Sequence, residues 1–581
     1  MIFFGILHAL QKRVMKMSLA SLLLTFSLWG QPAKIHPSLA NMRPEETVRV
    51  LIQYREGLTE RRNARIHELG GTVHHDLQLV RGHAVSLRAD EIEALANDPD
   101  VEMISPDNPV SATMDTAAAA INASAAWTTN HIGKGIGVAV IDSGVSAHPD
   151  LASRVVYSQD FTGEGQNADL YGHGTHVAVA LGGSGATSSG ANYFKTFKGI
   201  APAVNIVNLR VLNSAGVGTD STVIAGIQKA ISLKSTYNIR VINLSLGRPV
   251  TASYTKDPLC QAVESAWKAG IVVVVAAGNY GRNNNSGTAG YGTITAPGND
   301  PYVITVGAMK TMGTPARGDD QIATYSSKGP TLYDHVVKPD IVAPGNQIHS
   351  GLTPDKVSAG LFMTYPSTQF PCSYYQTSCG TGNSQWYYVL NGTSMATPMV
   401  SAAAAILIGV NPNVTPDQVK ARLMKTAFKS FPSVSTVTVS GVTYRDYYDM
   451  FTVGAGYLDI QAALANNDVA SGNAQSPSVK YNSSTDTGTL QYNPGSTFQG
   501  AGPFGSSLLW GTSQLSGSSI LWGTSTSFAT SLVWGTSGTS AFSLLWGTGT
   551  NGTVDPSSLL WGTTVQPGSI APLVSVLTRG E

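Results

Sequence analysis

Five short apolar runs recur between residues 137 and 309: "GVAVID", "NIVNLRVL", "VINLSL", "IVVVVAAGN" and "VITVGAM". Each is short, rich in valine and isoleucine, and lacks the alternation of a strand with one face in water. Such runs imply parallel strands buried on both faces, with the intervening stretches folded as helices over them. The expected architecture over 125–467 is α/β, a doubly wound and mostly parallel sheet with helices on both faces.

A different pattern precedes it. "VRVLIQY" alternates like a half-buried strand, and "LTERRNARIHELG" places Leu58, Ile66 and Leu69 at helical spacing, with Gly70 as its stop. "TVHHDL" and "HAVSLRA" read as two more strands. Asp90 and Glu93 resemble a capping box at the start of "DEIEALAND", and "VEMIS" closes the series. The order βαββαβ is that of a ferredoxin-like α+β unit.

The remaining segments read as connectors and appendages. "VSATMDTAAAAINASAAW" has the small residues of a linker open to proteolysis, and charge and periodicity fade again through 468–503. Beyond 504 the chain repeats: Trp510, Trp522, Trp534, Trp546 and Trp561 each close a short apolar stretch ending in Gly-Thr. At the other end, Lys12, Arg13 and Lys16 precede an apolar run from Met17 to Trp29. That run is too short to span a bilayer and suits a secretory signal, so export is expected and no membrane association once the signal is removed.

Composition narrows the classes further. Lysine plus arginine number 36, as do aspartate plus glutamate, which leaves no electrostatic case for a nucleic-acid partner. The chain has 3 cysteines, too few for a disulfide scaffold, and none has zinc-ligand spacing. Cys372 and Cys379 lie close together, and the oxidising destination implied by the signal favours a local bridge between them over unpaired thiols.

The chemistry gathers where strands end and helices begin. Asp142 closes an apolar strand at its carboxyl edge, the usual place for ligands in open α/β sheets. His173 and His176 open a helix in "YGHGTHVAVALGG", and Ser394 opens another in "NGTSMATPMVSAAAA". Taken singly, the aspartate is a turn former, the serine a helix cap and Asn279 of "AAGN" a turn stabiliser. Taken together, a carboxylate, an imidazole and a hydroxyl are what an activated serine nucleophile needs. Asn279 and the Ser394 backbone N–H could then serve a developing oxyanion, and His176 is assigned to packing.

"VIDSG", "GHGTHVA", "SLG", "AAGN", "YSSKGP", "KPDIVAPG" and "NGTSMATPMVSAAAA" resemble, in order, the motifs of the subtilisin-like serine peptidases. The resemblance covers about 125–467. It implies a subtilisin-like fold with Asp142, His173 and Ser394 as the triad and Asn279 as the oxyanion donor. The chain order of these groups and the asparagine's role come from the family, not from spacing. It also implies that Gly216, Val217 and Gly218, with Ser245, Leu246 and Gly247, pair with substrate backbone. Ala276, Ala277 and Gly278 would wall the specificity pocket. Thr295 falls where a small floor residue such as glycine is common, which implies a shallower pocket. The 41–112 unit resembles the family's inhibitory propeptide, which makes 1–40 the signal, 113–124 the processing linker and 125–467 the peptidase domain.

Two departures accompany the match. Val179 stands where glycine is frequent, and "GGSGATSSGANYFKTFKG" replaces a short calcium-binding loop. No cofactor is required by this reading, metal ligands are unknown, and structural calcium elsewhere is not readable from the sequence. The expected protein is a secreted, monomeric serine endopeptidase, acting on proteins or peptides and made as a self-processed precursor with its own propeptide as inhibitor. The competing reading is a catalytically silent surface or binding protein that displays the tryptophan tail.

Overall fold

The structure is a computed structural model that describes residues 34–35, 39, 42–78, 81–106, 113–283, 288–352, 361, 365–439, 441–482, 487–499, 503–504 and 515–516. The signal segment and the tryptophan repeats lie almost wholly outside the described residues. The chain divides into two compact units, 1–110 and 111–581.

The first unit runs β1 (Thr47–Tyr54), α1 (Glu60–Glu68), β2 (Thr72–Leu77), β3 (Gly82–Arg88), α2 (Glu91–Ala96) and β4 (Val101–Pro106). Its antiparallel sheet has the order β2-β3-β1-β4, the ferredoxin-like arrangement expected from the pattern. The alternation in β1 turns Val48, Val50, Ile52 and Tyr54 inward, where they meet Ile66, Ile92 and Leu95. Gly70 adopts φ 69°, which lets the Gly71 N–H close back on the Ile66 carbonyl and stop α1. The capping box at Asp90 is not formed. Asp90 has helical backbone angles, and its carboxylate takes the Arg88 guanidinium instead of a backbone N–H.

The second unit opens on α3 (Thr113–Ala120) and α4 (Ala123–Thr128), where a processing linker was expected at 113–124. Ala117, Ala118, Ala120, Ile121, Ala123 and Ala126 are buried in its main core. Alanine has the highest helix propensity, and its small side chain allows close packing, so the feature that suggested an open linker also suits a buried helix. Polar ties hold the pair. Arg317 donates to the Ala120 carbonyl, and Asn122 Nδ2 reaches both Asp459 oxygens at 3.1 Å.

Then come β5 (Gly137–Asp142), β6 (Val155–Asp160), α5 (His173–Gly182), β7 (Asn205–Arg210), α6 (Asp220–Ser232), β8 (Ile239–Leu244), α7 (Pro258–Lys268), β9 (Val272–Ala276), β10 (Ile304–Lys310), β11 (Gln321–Ile322) and β12 (Ile341–Pro344). The eight strands have the order β11-β10-β9-β8-β5-β7-β6, with β12 also on β10. All pairs are parallel except β10–β11. Every residue of β5 and β9 is buried, as a sheet covered on both faces requires. From β5 the chain goes to β6 at one edge, returns to β7 beside β5 and then crosses to β8 on its other side, so the switch in strand order falls at the strand that ends in Asp142.

An antiparallel pair of strands, β13 (Ile348–Gly351) and β14 (Tyr387–Leu390), leads into α8 (Thr393–Val410) and α9 (Pro416–Thr426). Among the described residues α8 alone is long and apolar enough to cross a membrane, and it is buried through Ile408 in the core. The segment between β13 and β14 carries a disulfide joining Cys372 to Cys379, with Cα atoms 6.0 Å apart. Cys260 is buried and donates to Asn299. Val179 of α5 packs on Gly351, where an added Cβ would meet it at 2.4 Å, so β13 makes room for the larger residue.

Of the segment 468–503, expected as a linker, the described residues pack onto the same unit. Ala470, Ala474, Val479 and Phe498 share a second core with Val337, Met450 and Phe451. The Ser476 hydroxyl donates to Asp340, which also pairs with Lys338 at 2.6 Å and Lys420 at 3.2 Å, all fully or almost fully buried. The apolar residues here are too few and too irregular to reveal a partner in sequence, yet they complete this second core.

Candidate active site

Asp142 and His173 meet where β5 ends and α5 begins. His173 Nδ1 donates to Asp142 Oδ1 at 2.7 Å, which leaves Nε2 as the basic nitrogen. The same Asp142 oxygen accepts the Ser143 N–H at 2.7 Å, while Oδ2 has no partner among the described residues. Both side chains are buried. Burial alone would push the imidazole down, but the Asp142 charge and hydrogen bond, with Asp169 beyond, raise it above the ordinary histidine value.

The junction is held by a residue the sequence reading passed over. Asp169 accepts the Gly172 and Thr175 N–H groups at 2.7 Å each and the Ser143 hydroxyl at 2.8 Å. The Ser143 oxygen in turn accepts the Gly174 N–H at 2.9 Å. The strand end is thereby stapled to the helix start, and burial pushes the Asp169 carboxyl up. A Cβ at Gly174 would lie 2.2 Å from the Gly144 carbonyl, so only glycine permits this approach. The signal was the carboxylate four residues before His173 at a helix N-terminus. His176, one turn on, donates from Nε2 to the Ile348 carbonyl and meets Tyr388 edge-on; burial pulls it down to about 3.

Ser394 is the second residue of α8, whose first N–H groups have no intrahelical partners. Its hydroxyl donates to the Ser245 carbonyl at 3.0 Å, and no hydrogen bond joins it to His173. Hydrogen bonds that serve catalysis are often long or poorly aligned before substrate binds. The helices that begin at His173 and near Ser394 pack on each other. Ser245 returns a second bond, its hydroxyl donating to the Ser394 carbonyl at 2.8 Å.

Asn279 lies just past β9. Its Oδ1 accepts both the Thr393 N–H at 2.9 Å and the Thr393 hydroxyl at 3.0 Å, which leaves the amide NH2 as its donating end. The Thr393 hydroxyl also accepts the Gly278 N–H at 3.2 Å. Thr393, also passed over in sequence, therefore links the asparagine to the residue before Ser394.

The expected pocket residues converge on Thr295. A Cβ at Gly247 would meet its Oγ1 at 2.4 Å, and one at Gly278 would meet its Cγ2 at 2.7 Å. Thr295 also donates its N–H to the Ala277 carbonyl at 3.0 Å. The threonine thus stands between Gly247 and Gly278, beside buried Ala276 and Ala277. Gly216, with φ 74°, lies against Tyr171, whose ring a Cβ there would meet at 2.5 Å. Val217, Gly218 and Gly247 are exposed, and Leu246 is half-buried. Among the described residues no cluster of three or more histidine, cysteine or acidic side chains could hold a metal.

A model of the subtilase family matches residues 133–456. Serine protease AprX of Bacillus subtilis (strain 168) is 38% identical over 323 residues, 54% of this chain and 66% of AprX, just under two thirds of its length. Subtilisin E of the same organism is 33% identical over 402 residues, 68% of this chain and 84% of its own. The alkaline protease of Shouchella clausii is 31% identical over 356 residues, 61% of this chain and 76% of its own.

Proposed function

The chain belongs to the subtilase family of serine endopeptidases, and from that premise we propose that it is a secreted endopeptidase made as a self-processed precursor. The observation that carries the reading is the buried Asp142–His173 hydrogen bond at the start of a helix that packs on α8, with Ser394 in the first turn of α8 and Asn279 tied to its first residue. Ser394 Oγ attacks the scissile carbonyl while His173 Nε2 takes its proton. Asn279 Nδ2 and the Ser394 N–H receive the oxyanion, and the amine departs with the proton from His173. Water, deprotonated by the same nitrogen, then releases the acyl group. Asp142 holds the tautomer and favours the imidazolium, and protein groups fill every role.

Substrates are proteins or peptides bound extended along 216–218 and 245–247, with a small side chain over Thr295. The ferredoxin-like unit acts as inhibitor until it is cut away. The burial of Ala117, Ala118 and Ala120 within α3 favours a cut ahead of α3 over one within it. The mature enzyme is a monomer outside the cell.

A fluorophosphonate should label Ser394 in wild type and leave Ser394→Ala unmodified. In a host without other secreted proteases, intact mass should show residues 47–110 lost from wild type and retained by a folded Ser394→Ala. An unlabelled, fully processed wild type would favour the silent surface-protein reading, and full maturation of the alanine variant would overturn self-processing.

A further inference from the structure

We propose that Arg248 is a positioning residue for peptide binding, bracing segment 216–218 against segment 245–247 from behind; this rests on the peptidase reading above. Arg248 directly follows Gly247, and its backbone is fixed from both sides. Its N–H donates to the Ala296 carbonyl at 3.0 Å, and the Ala296 N–H returns to its own carbonyl at 2.8 Å. That bridge seats it next to Thr295 at the pocket floor.

The side chain reaches the opposite wall. Nε and Nη2 grip the two oxygens of Asp220 at 2.7 and 2.9 Å, a bidentate fork. Asp220 is the first residue of α6, two positions beyond Gly218. Nη2 also meets both oxygens of Asp257 at 2.8 and 2.9 Å, and Nη1 donates to the Pro249 carbonyl at 3.2 Å. Asp257 is buried and caps α7 through the Leu259 N–H. One arginine therefore joins the start of α6 and the start of α7 through its guanidinium, and the floor segment at Thr295 and Ala296 through its backbone.

The geometry matters because both substrate-facing segments end in an exposed glycine, Gly218 and Gly247. Gly218, Gly247 and Val217 offer backbone with little side-chain packing to set its position. The turn 213–217 is held by Asn213 Oδ1 accepting the Val217 N–H at 3.0 Å and, on the side away from 245–247, by Glu164 accepting the Ser214 hydroxyl at 2.9 Å. Arg248 ties the residues just beyond it to 245–247. An extended peptide needs the distance between the two segments matched on both sides at once. A planar fork defines it; the point charge of a lysine cannot.

The test uses the mature enzyme with two substrates, a peptide amide extending four residues before the scissile bond and a single-residue ester. Asp220→Ala removes the fork's partner without stranding the buried Asp257, and Arg248→Lys keeps the charge while losing the fork. Both should raise KM for the long peptide about tenfold with kcat little changed, and leave ester hydrolysis and fluorophosphonate labelling within about twofold. Asp220→Glu should recover part of the peptide KM. Unchanged peptide KM in folded variants, or an equal loss on peptide and ester, would overturn the brace. Wild type inert to both substrates would overturn the peptidase reading itself.

Discussion

The Ser394 carbonyl accepts the Ser245 hydroxyl at 2.8 Å because the helix cannot supply its usual donor. Four residues on stands Pro398, which has no N–H. The Ser245 oxygen is itself oriented by Asn243 Nδ2 at 2.9 Å, and Asn243 by the Ser401 hydroxyl at 2.8 Å. Ser245→Ala would leave the Ser394 carbonyl buried without a partner. Turnover should fall about tenfold, with a loss of about 1–2 kcal/mol in stability. Steady-state kinetics and thermal unfolding would check it, and unchanged values in both would mean the carbonyl finds another donor.

Asn279→Ala should lower turnover about 100- to 1000-fold with substrate binding nearly intact, as when one oxyanion donor is lost. Thr393→Val, which keeps the N–H bond to Asn279 and removes the hydroxyl one, should cost several-fold less. A deficit confined to apparent affinity would remove Asn279 from this role.

The acid limb of the pH profile should lie above the ordinary histidine value, because His173 must be neutral to act as base and Asp142 raises it. Asp142→Asn leaves burial as the main influence, so the limb should move to lower pH while turnover drops about 10⁴-fold. The stability linkage has the opposite sense. A histidine raised in the folded state contributes most below its unfolded value, and that contribution is lost as pH rises through the folded value. The wild-type advantage over Asp142→Asn in unfolding experiments should therefore shrink from acid toward alkaline pH.

Thr295→Gly should open the pocket between Gly247 and Gly278. The ratio of kcat/KM for a large aromatic side chain to that for alanine should rise about tenfold or more in a matched peptide series. An unaltered ratio would mean that Thr295 does not limit the pocket.

Two truncations distinguish the packed segment from the tryptophan repeats beyond it. Removing residues after 504 should leave peptide hydrolysis intact. Removing those after 467 strips Ala470, Ala474, Val479 and Phe498 from the second core and Ser476 from Asp340. At about 1.5–3 kcal/mol per buried large side chain, that loss should lower the melting temperature sharply or abolish soluble expression. Equal melting temperatures for the two truncations would make 468–503 dispensable.

By itself the sequence determined the strands, because runs such as "GVAVID" and "VVVVA" can bury both faces only in a covered parallel sheet. It determined the ferredoxin-like unit, whose β1 alternation admits one inward face. It also marked Asp142, His173, Ser394 and Asn279, since each sits at the end of a pattern that can be read locally. The tertiary structure alone decided what these groups touch. Pro398 and Ser245 are far apart in the chain, so the donor that replaces a missing helix bond was invisible before folding. Arg248 had no local signal, because its two carboxylates come from the starts of two other helices. The segments 113–124 and 468–503, expected as linkers, carry described residues that pack into cores for the same reason. Small, weakly patterned residues carry no direction of their own, and only the surface they meet decides whether they form a linker or part of a core.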